Sequence, residues 1–451
     1  MKNILYIFLL ALIGIFIDVR AAFLTLGAFL LIYILIRIFY QKDELTASLY
    51  NNVFYVNIAY VLACDVYMKL CGYNYLLTYD TDHIILPRLI EYLNSSPSYF
   101  QVLSNIWSDY SFFDRFQAGY YTYMSGWGWI ANNINSELYY TIQLSHLSIC
   151  ALIPVFVYHL LRTWISDNRK AYKYALVIGL GSILFYYSST ILRDGLICVM
   201  MLYVYNLCNK EFSYWGLIKI IIALYIISTF RIESGLVSVL FVPIYFVSKS
   251  KQSSMVIRVC MGLLILLGVG FYLLSNYMGE ISKVYQDNYE YYSEGVTEGR
   301  GIIASLQRLP PLIGDFLSII YTALNPIPFW AKLLEGYDPS RPECYNMMNF
   351  PIAIATFFNT YIVVYLIQFL SRRRLVQHAN LHSLYLLMVP GSIIMILQSA
   401  VVAQRRIMSV YVLFYILWAV VHFNSSNDEN RKAFIYSIVI FTLLQFASFF
   451  I

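Results

Sequence analysis

Residues Leu138–Leu161 read LYYTIQLSHLSICALIPVFVYHLL, and residues 162–170 read RTWISDNRK. The first stretch holds no acid, lysine or arginine, and the second holds Arg162, Arg169 and Lys170. A bilayer's hydrocarbon core is about 30 Å thick, so a helix crossing it needs about 20 mainly apolar residues. A charge-free run of that length, closed by a basic cluster, reads as a transmembrane helix ending at the cytoplasmic surface.

The same pattern recurs along the chain. The other candidate spans are Asn3–Ile17, Ala21–Tyr40, Val53–Leu70, Tyr172–Tyr187, Ile191–Cys208, Leu217–Phe230, Gly235–Val247, Val256–Leu274, Pro351–Leu370, Leu381–Ser399, Ile407–Phe423 and Ala433–Phe450. The expectation is an all-α polytopic membrane bundle of about thirteen helices, each near the length that the bilayer requires. It is read as one membrane domain over residues 1–451. Residues 1–17 have the apolar core of a signal peptide, but Asp18-Val19-Arg20 is a poor cleavage site and a second apolar run follows, so a retained span is expected.

Composition agrees. Of 451 residues, 60% are hydrophobic and 12% charged, and mean hydropathy is +0.64. Soluble domains carry roughly 25% charged residues, so this chain lacks the polar shell of a water-soluble fold. Aromatics make up 18%, including 43 tyrosines, which suits interfacial belts. The net charge of +5 is spread over the ends of apolar runs, which marks topology rather than a nucleic-acid surface. The seven cysteines are scattered with no Cys-x-x-Cys pair, so neither a zinc site nor a disulfide framework is expected.

Lysine and arginine bias sets the orientation. With the N-terminus inside, the inner connections hold Arg37 and Lys42; Arg162, Arg169, Lys170 and Lys173; Lys210; Lys249, Lys251 and Arg258; Arg372–Arg374; and Arg431 with Lys432. The short outer connections hold Arg20, Arg193, Arg231, Arg405 and Arg406. Two long outer loops are expected at about 71–136 and 275–350. Ile84–Leu93 has amphipathic spacing for a surface helix with Pro87 in its first turn, and Tyr121–Ile130 suits a segment that dips into the membrane. Leu312–Leu324, bracketed by prolines, reads as a short re-entrant helix.

A charge near the centre of a span costs about 2.5–3.5 kcal/mol on insertion scales, so the charges that remain there point to function. Arg193-Asp194, Arg231 with Glu233, Arg405-Arg406, and Asp80 with Asp82 all fall on the outer side. Arginine presents a planar fork of donors that matches phosphate, and a neighbouring carboxylate can take a proton from a hydroxyl. Together they suggest an anion site at headgroup depth. Structural readings stand beside this one. Arg193 with Asp194, and Arg231 with Glu233, also suit local pairs. Asp80 and Asp82 also suit helix caps, and Asp80-Thr81-Asp82-His83 has donors for a divalent ion. Asp65, inside a span, suits a buried pair with an arginine of another helix.

The order of these segments resembles two families. Tyr79-Asp80-Thr81-Asp82 in the first outer loop, Gly119–Tyr123, Ser188–Asp194 and Phe230–Leu236 resemble membrane glycosyltransferases of the GT-C type, with Ile232 where such proteins often have proline. The two long loops, the outer arginines and Asn325–Trp330 resemble bacterial O-antigen and capsule polymerases. The resemblance implies glycosyl transfer from polyprenyl-phosphate or polyprenyl-pyrophosphate saccharides in the bacterial plasma (inner) membrane, with the bilayer, a chain-length regulator and a flippase as partners. It implies that Asp80 or Asp82 acts on the acceptor and that Arg193, Asp194, Arg231, Glu233, Arg405 and Arg406 bind substrate. It requires no organic cofactor and no nucleic acid, and leaves a divalent metal open. Repeat-unit polymerisation ranks first, a GT-C monoglycosyltransferase second, and a flippase or transporter third.

Overall fold

The computed structural model describes residues 2–41, 43–71, 85–108, 118–211, 213–231, 349–371 and 404–447, with scattered positions in 234–242, 309–329 and 384–388. The expected span Val256–Leu274, most of Leu381–Ser399, most of Gly235–Val247 and most of the second long loop lie outside the described residues. The described residues are helical, with no strand among them. The helices are α1 Lys2–Phe16, α2 Val19–Phe39, α3 Glu44–Leu70, α4 Leu86–Asn94, α5 Tyr99–Ser108, α6 Ala118–Asn133, α7 Leu138–Cys150, α8 Ile153–Leu161, α9 Asn168–Gly181, α10 Ile183–Ser188, α11 Arg193–Cys208, α12 Tyr214–Phe230, α13 Phe350–Ser371, α14 Gln404–Asn424 and α15 Asn427–Ala447.

Among the described residues, four helical stretches are long and apolar enough to cross a membrane: Val19–Phe39, Glu44–Leu70, Leu138–Leu161 and Phe350–Leu370. Their outward faces are apolar. Phe23 is 70% exposed, and Ile34, Ile367 and Leu370 are also exposed. Such faces are compatible with a lipid-like solvent, since contiguous apolar surface is costly in water.

Contacts between turns sort them into two sets. In one set, Lys69 donates to the Phe16 carbonyl at 2.9 Å, Arg20 to the Asn135 carbonyl at 2.7 Å, and the Glu137 amide to Asp18 at 2.7 Å. In the other, Arg162 pairs with Asp43 at 2.6 Å, Asn209 donates to Thr163 at 2.6 Å, and Lys170 lies over the Phe423 ring at 5.1 Å. The second set holds Arg37, Arg162, Arg169, Lys170, Lys210, Arg431 and Lys432 and forms the basic end of the bundle. Helices α2, α3, α11 and α12 each run from one end towards the other.

Local chemistry explains several boundaries. α3 begins at Glu44, earlier than the apolar run, because Asp43 accepts from the Thr46 amide and Asn52 bonds the Tyr172 hydroxyl at 2.6 Å, giving its polar first turns partners. Pro154, with no N–H to offer the turn before it, separates α7 from α8. Asp65 is fully buried, receives the Tyr140 hydroxyl and pairs with Lys69 at 3.6 Å. The expected arginine partner is therefore replaced by a lysine one turn along the same helix.

α6 lies across the end opposite the basic turns. Gly119 meets Thr229 and Phe230 at the end of α12, Gly128 meets Leu93 of α4 and Leu138 of α7, and the turn after α6 bonds Arg20. Both ends of α6 thus belong to one end of the bundle. The amphipathic α4 packs beneath it through Leu89, Tyr92 and Leu93.

At Gly179, an added Cβ would overlap the Pro154 ring, whereas at Gly27 it would meet nothing within 4 Å. Gly179→Val is expected to destabilise the protein by about 1–3 kcal/mol through overpacking, while Gly27→Ala is neutral or slightly stabilising. Unfolding midpoints in detergent compare the two.

Candidate functional site

The chain between α9 and α11 is broken twice inside the bundle. Ser182 caps α10 by accepting from the Leu184 amide at 3.2 Å. Residues Ser189–Leu192 then pass in non-helical conformation while buried, none more than 2% exposed. Local bonds satisfy this backbone. Gln143 donates to the Ser189 carbonyl at 2.9 Å, Thr190 Oγ1 to the Tyr187 carbonyl at 3.2 Å, and Ser189 Oγ to the Phe185 carbonyl at 3.0 Å. Serine and threonine compete in this way with helical bonding. Irregular backbone at membrane depth is tolerated where protein covers it or where it lines a cavity.

α11 starts at this break with Arg193 and Asp194 in its first turn. It has 16 residues and spans about 24 Å, short of the ~30 Å hydrocarbon core. α12, with 17 residues, spans about 25 Å. Arg231, at the C-cap of α12, is extended and only 6% exposed. Its Nη2 lies 2.6 Å from Asp194 Oδ1, so one ion pair joins the start of α11 to the end of α12. Arg193 Nη1 donates to the Phe230 carbonyl at 3.2 Å and ties the same two ends. The local Arg193–Asp194 pairing is thereby superseded: Asp194 pairs with Arg231, 37 positions away.

Around this pair gather polar groups from α6 and α7. His146 is 1% exposed, and neither of its ring nitrogens has a hydrogen-bond partner among the described residues. A Cβ on Gly195 would stand 3.1 Å from His146 Nε2 and 2.7 Å from Cys150 Sγ, so only glycine lets the first turn of α11 approach so closely. The Tyr123 ring meets the imidazole edge-on at 6.4 Å, and the Tyr120 ring meets Phe230 at 5.9 Å. The Tyr120 hydroxyl and Gln143 Oε1 are buried without hydrogen-bond partners among the described residues. A buried polar atom left unpaired costs about 1–3 kcal/mol, so several at one place favour a polar ligand.

The structure thus unites Arg193, Asp194 and Arg231. Arg405 and Arg406 fall within the first turn of α14 rather than in the turn before it, and α14 packs on α11, where Tyr205 donates to the Ser409 carbonyl at 3.2 Å. Their side chains, and Asp80, Asp82, His83 and Glu233, lie outside the described residues. Sequence reasoning gave no role to His146, Tyr120 or Gln143. The signal was present as Gln143, Ser145, His146 and Ser148 inside an otherwise apolar span. Among the described residues, no three His, Cys, Asp or Glu side chains gather in a metal-binding group.

No protein-family model, curated protein or solved structure matches this chain.

Removing one member of a buried ion pair strands the other charge, at about 3–5 kcal/mol. Asp194→Ala and Arg231→Ala are each expected to destabilise on that scale. The double variant Asp194→Leu/Arg231→Met is expected to lose far less than the sum. Denaturant unfolding of the three variants in micelles checks this, and additive losses would contradict the pairing.

Proposed function

We propose that this chain is a polytopic membrane glycosyltransferase that uses lipid-linked saccharides, with about thirteen spans, its N-terminus inside and its site facing the outer leaflet. Within that class, the reading ranked first is polymerisation of polyprenyl-pyrophosphate-linked repeat units into a cell-surface polysaccharide. One observation carries it: the buried Arg231 and the half-buried Arg193 are both held at the positive end of α11, beside an imidazole and a phenol that lack hydrogen-bond partners among the described residues.

The chemistry follows from that arrangement. Helix N-termini and arginine forks both favour phosphate. Asp194 holds Arg231 by one nitrogen, and a guanidinium has five N–H donors in all, so donors remain for a pyrophosphate. The acceptor hydroxyl oxygen attacks the anomeric carbon, the bond from that carbon to the pyrophosphate oxygen breaks, and the lipid pyrophosphate leaves with its charge held by the arginines. The hydroxyl proton passes to a base. Asp80 and Asp82 are the residues the family resemblance offers for this role, and His146 is the one the geometry adds. Burial strengthens each of these interactions relative to water.

A second reading, transport of a lipid-linked saccharide, is favoured by the interior breaks at Ser182 and at 189–192, since transporters build substrate sites from discontinuous helices.

Surface polysaccharide length in cells carrying Arg193→Gln, Arg231→Ala or Arg406→Ala, with membrane expression checked by blotting, tests the reading. The polymerase reading expects the protein to be present and long chains to collapse to single repeat units. Repeats lacking one sugar would replace it with the monoglycosyltransferase. Unchanged length and composition would remove the arginine site from the function and leave transport.

A further inference from the structure

At the basic end, away from the buried pair, the turn from α2 to α3 and the end of α8 line an open surface cleft of about 520 Å3. Its walls include Ile38, Phe39, Tyr40, Asp43, His159 and Arg162. The polar wall is built and braced. Arg162 Nη1 lies 2.6 Å from Asp43 Oδ2. Asp43 also accepts from the Thr46 amide at 3.3 Å, and Thr46 Oγ1 lies 3.1 Å from His159 Nε2. The His159 ring stacks on Tyr40 with centroids 4.1 Å apart. Asp43 engages only Nη1 of Arg162, whose guanidinium also lies over the Tyr158 ring at 5.6 Å; its side chain is 38% exposed, and its solvent-facing edge is accessible to a ligand. Arg37 is exposed on α2 one turn before the cleft.

The other wall is apolar and continues out of the cleft. Leu31, Ile34, Leu35 and Ile38 recur at helical three- and four-residue spacing on one face of α2, and all four are exposed. Phe39, 73% exposed, stands at the rim. A ligand that fits therefore has an anionic head and a long apolar tail. Free phosphate satisfies Arg162 but leaves the stripe unused. Basic pockets at the cytoplasmic ends of membrane helices bind anionic lipid headgroups for this reason.

We infer that this cleft binds an anionic phospholipid of the inner leaflet, its phosphate at Arg162 and an acyl chain along Leu31, Ile34, Leu35 and Ile38. A zwitterionic choline headgroup would set a cation beside Arg162 and Arg37 and is disfavoured. The inference is independent of the reaction at the opposite end.

The test is titration of the full chain in detergent with short-chain phosphatidylglycerol, phosphatidylcholine and inorganic phosphate, read by native mass spectrometry and by the unfolding midpoint. Phosphatidylglycerol is expected to bind and raise the midpoint, with affinity falling on the order of tenfold in Arg162→Gln as a charge-assisted contact is lost. Asp43→Asn, which keeps a capping oxygen and frees Arg162, binds at least as tightly. Ile38→Ser, at an exposed position that folding does not need, weakens lipid binding and covers the case in which Arg162→Gln fails to fold. Equal binding of phosphatidylcholine, saturation by inorganic phosphate at the same affinity, or undiminished lipid binding in both Arg162→Gln and Ile38→Ser would overturn the inference.

Discussion

A guanidinium and a carboxylate 2.6 Å apart, both almost wholly buried, hold the two shortened helices α11 and α12 together. Neither charge is stable alone at that depth, since the desolvation of each is several kcal/mol and is offset only by a close partner and further hydrogen bonds. The backbone is arranged to bring them together. α11 starts late, after a buried non-helical stretch, and α12 stops early, with Arg231 extended at its cap. Gly195 lets α11 press against His146 and Cys150, and Gly119 lets α6 close over Thr229 and Phe230. The pair, the breaks and the roof form one construction.

That construction divides the molecule by chemistry. At the basic end, polar contacts such as Arg162 with Asp43 and Asn209 with Thr163 are half-exposed and tie turn to turn. At the opposite end the charges are drawn inward beneath α6, where the dielectric is low and a charged ligand would feel them strongly. Surface pairs of the first kind are worth little. Buried pairs of the second kind cluster at functional sites, and the proposed function places its anion there.

Hydropathy made much of the scaffold legible, because length and charge depletion are dictated by the bilayer. Leu138–Leu161 is helical apart from its proline joint, and Ala21–Tyr40 and Leu217–Phe230 agree with α2 and α12 to within a few residues. Hydropathy misread the breaks. Tyr172–Tyr187 reads as one span and is two helices, because Ser182 satisfies the amide of Leu184 with its own hydroxyl, which an apolarity average does not register. Val53–Leu70 reads short because Asn52 and Thr46 look like loop residues until Tyr172 and His159 meet them from other helices. At the site, Arg193, Asp194 and Arg231 were legible as costly charges. Their pairing was not, since nothing local distinguishes Asp194 with Arg193 from Asp194 with Arg231. His146 was hidden by the apolar run that carries it.

The most direct measurement is calorimetric binding of a short polyprenyl diphosphate to the detergent-solubilised full chain, comparing the native sequence with Arg193→Gln and with Lys69→Gln, which alters a cation at the same end but outside the pair. The account predicts saturable binding, competed by pyrophosphate, weakened at least tenfold by Arg193→Gln and unchanged by Lys69→Gln. Binding that is equal in all three proteins would contradict the claim that the arginines at the α11–α12 junction form the anion site.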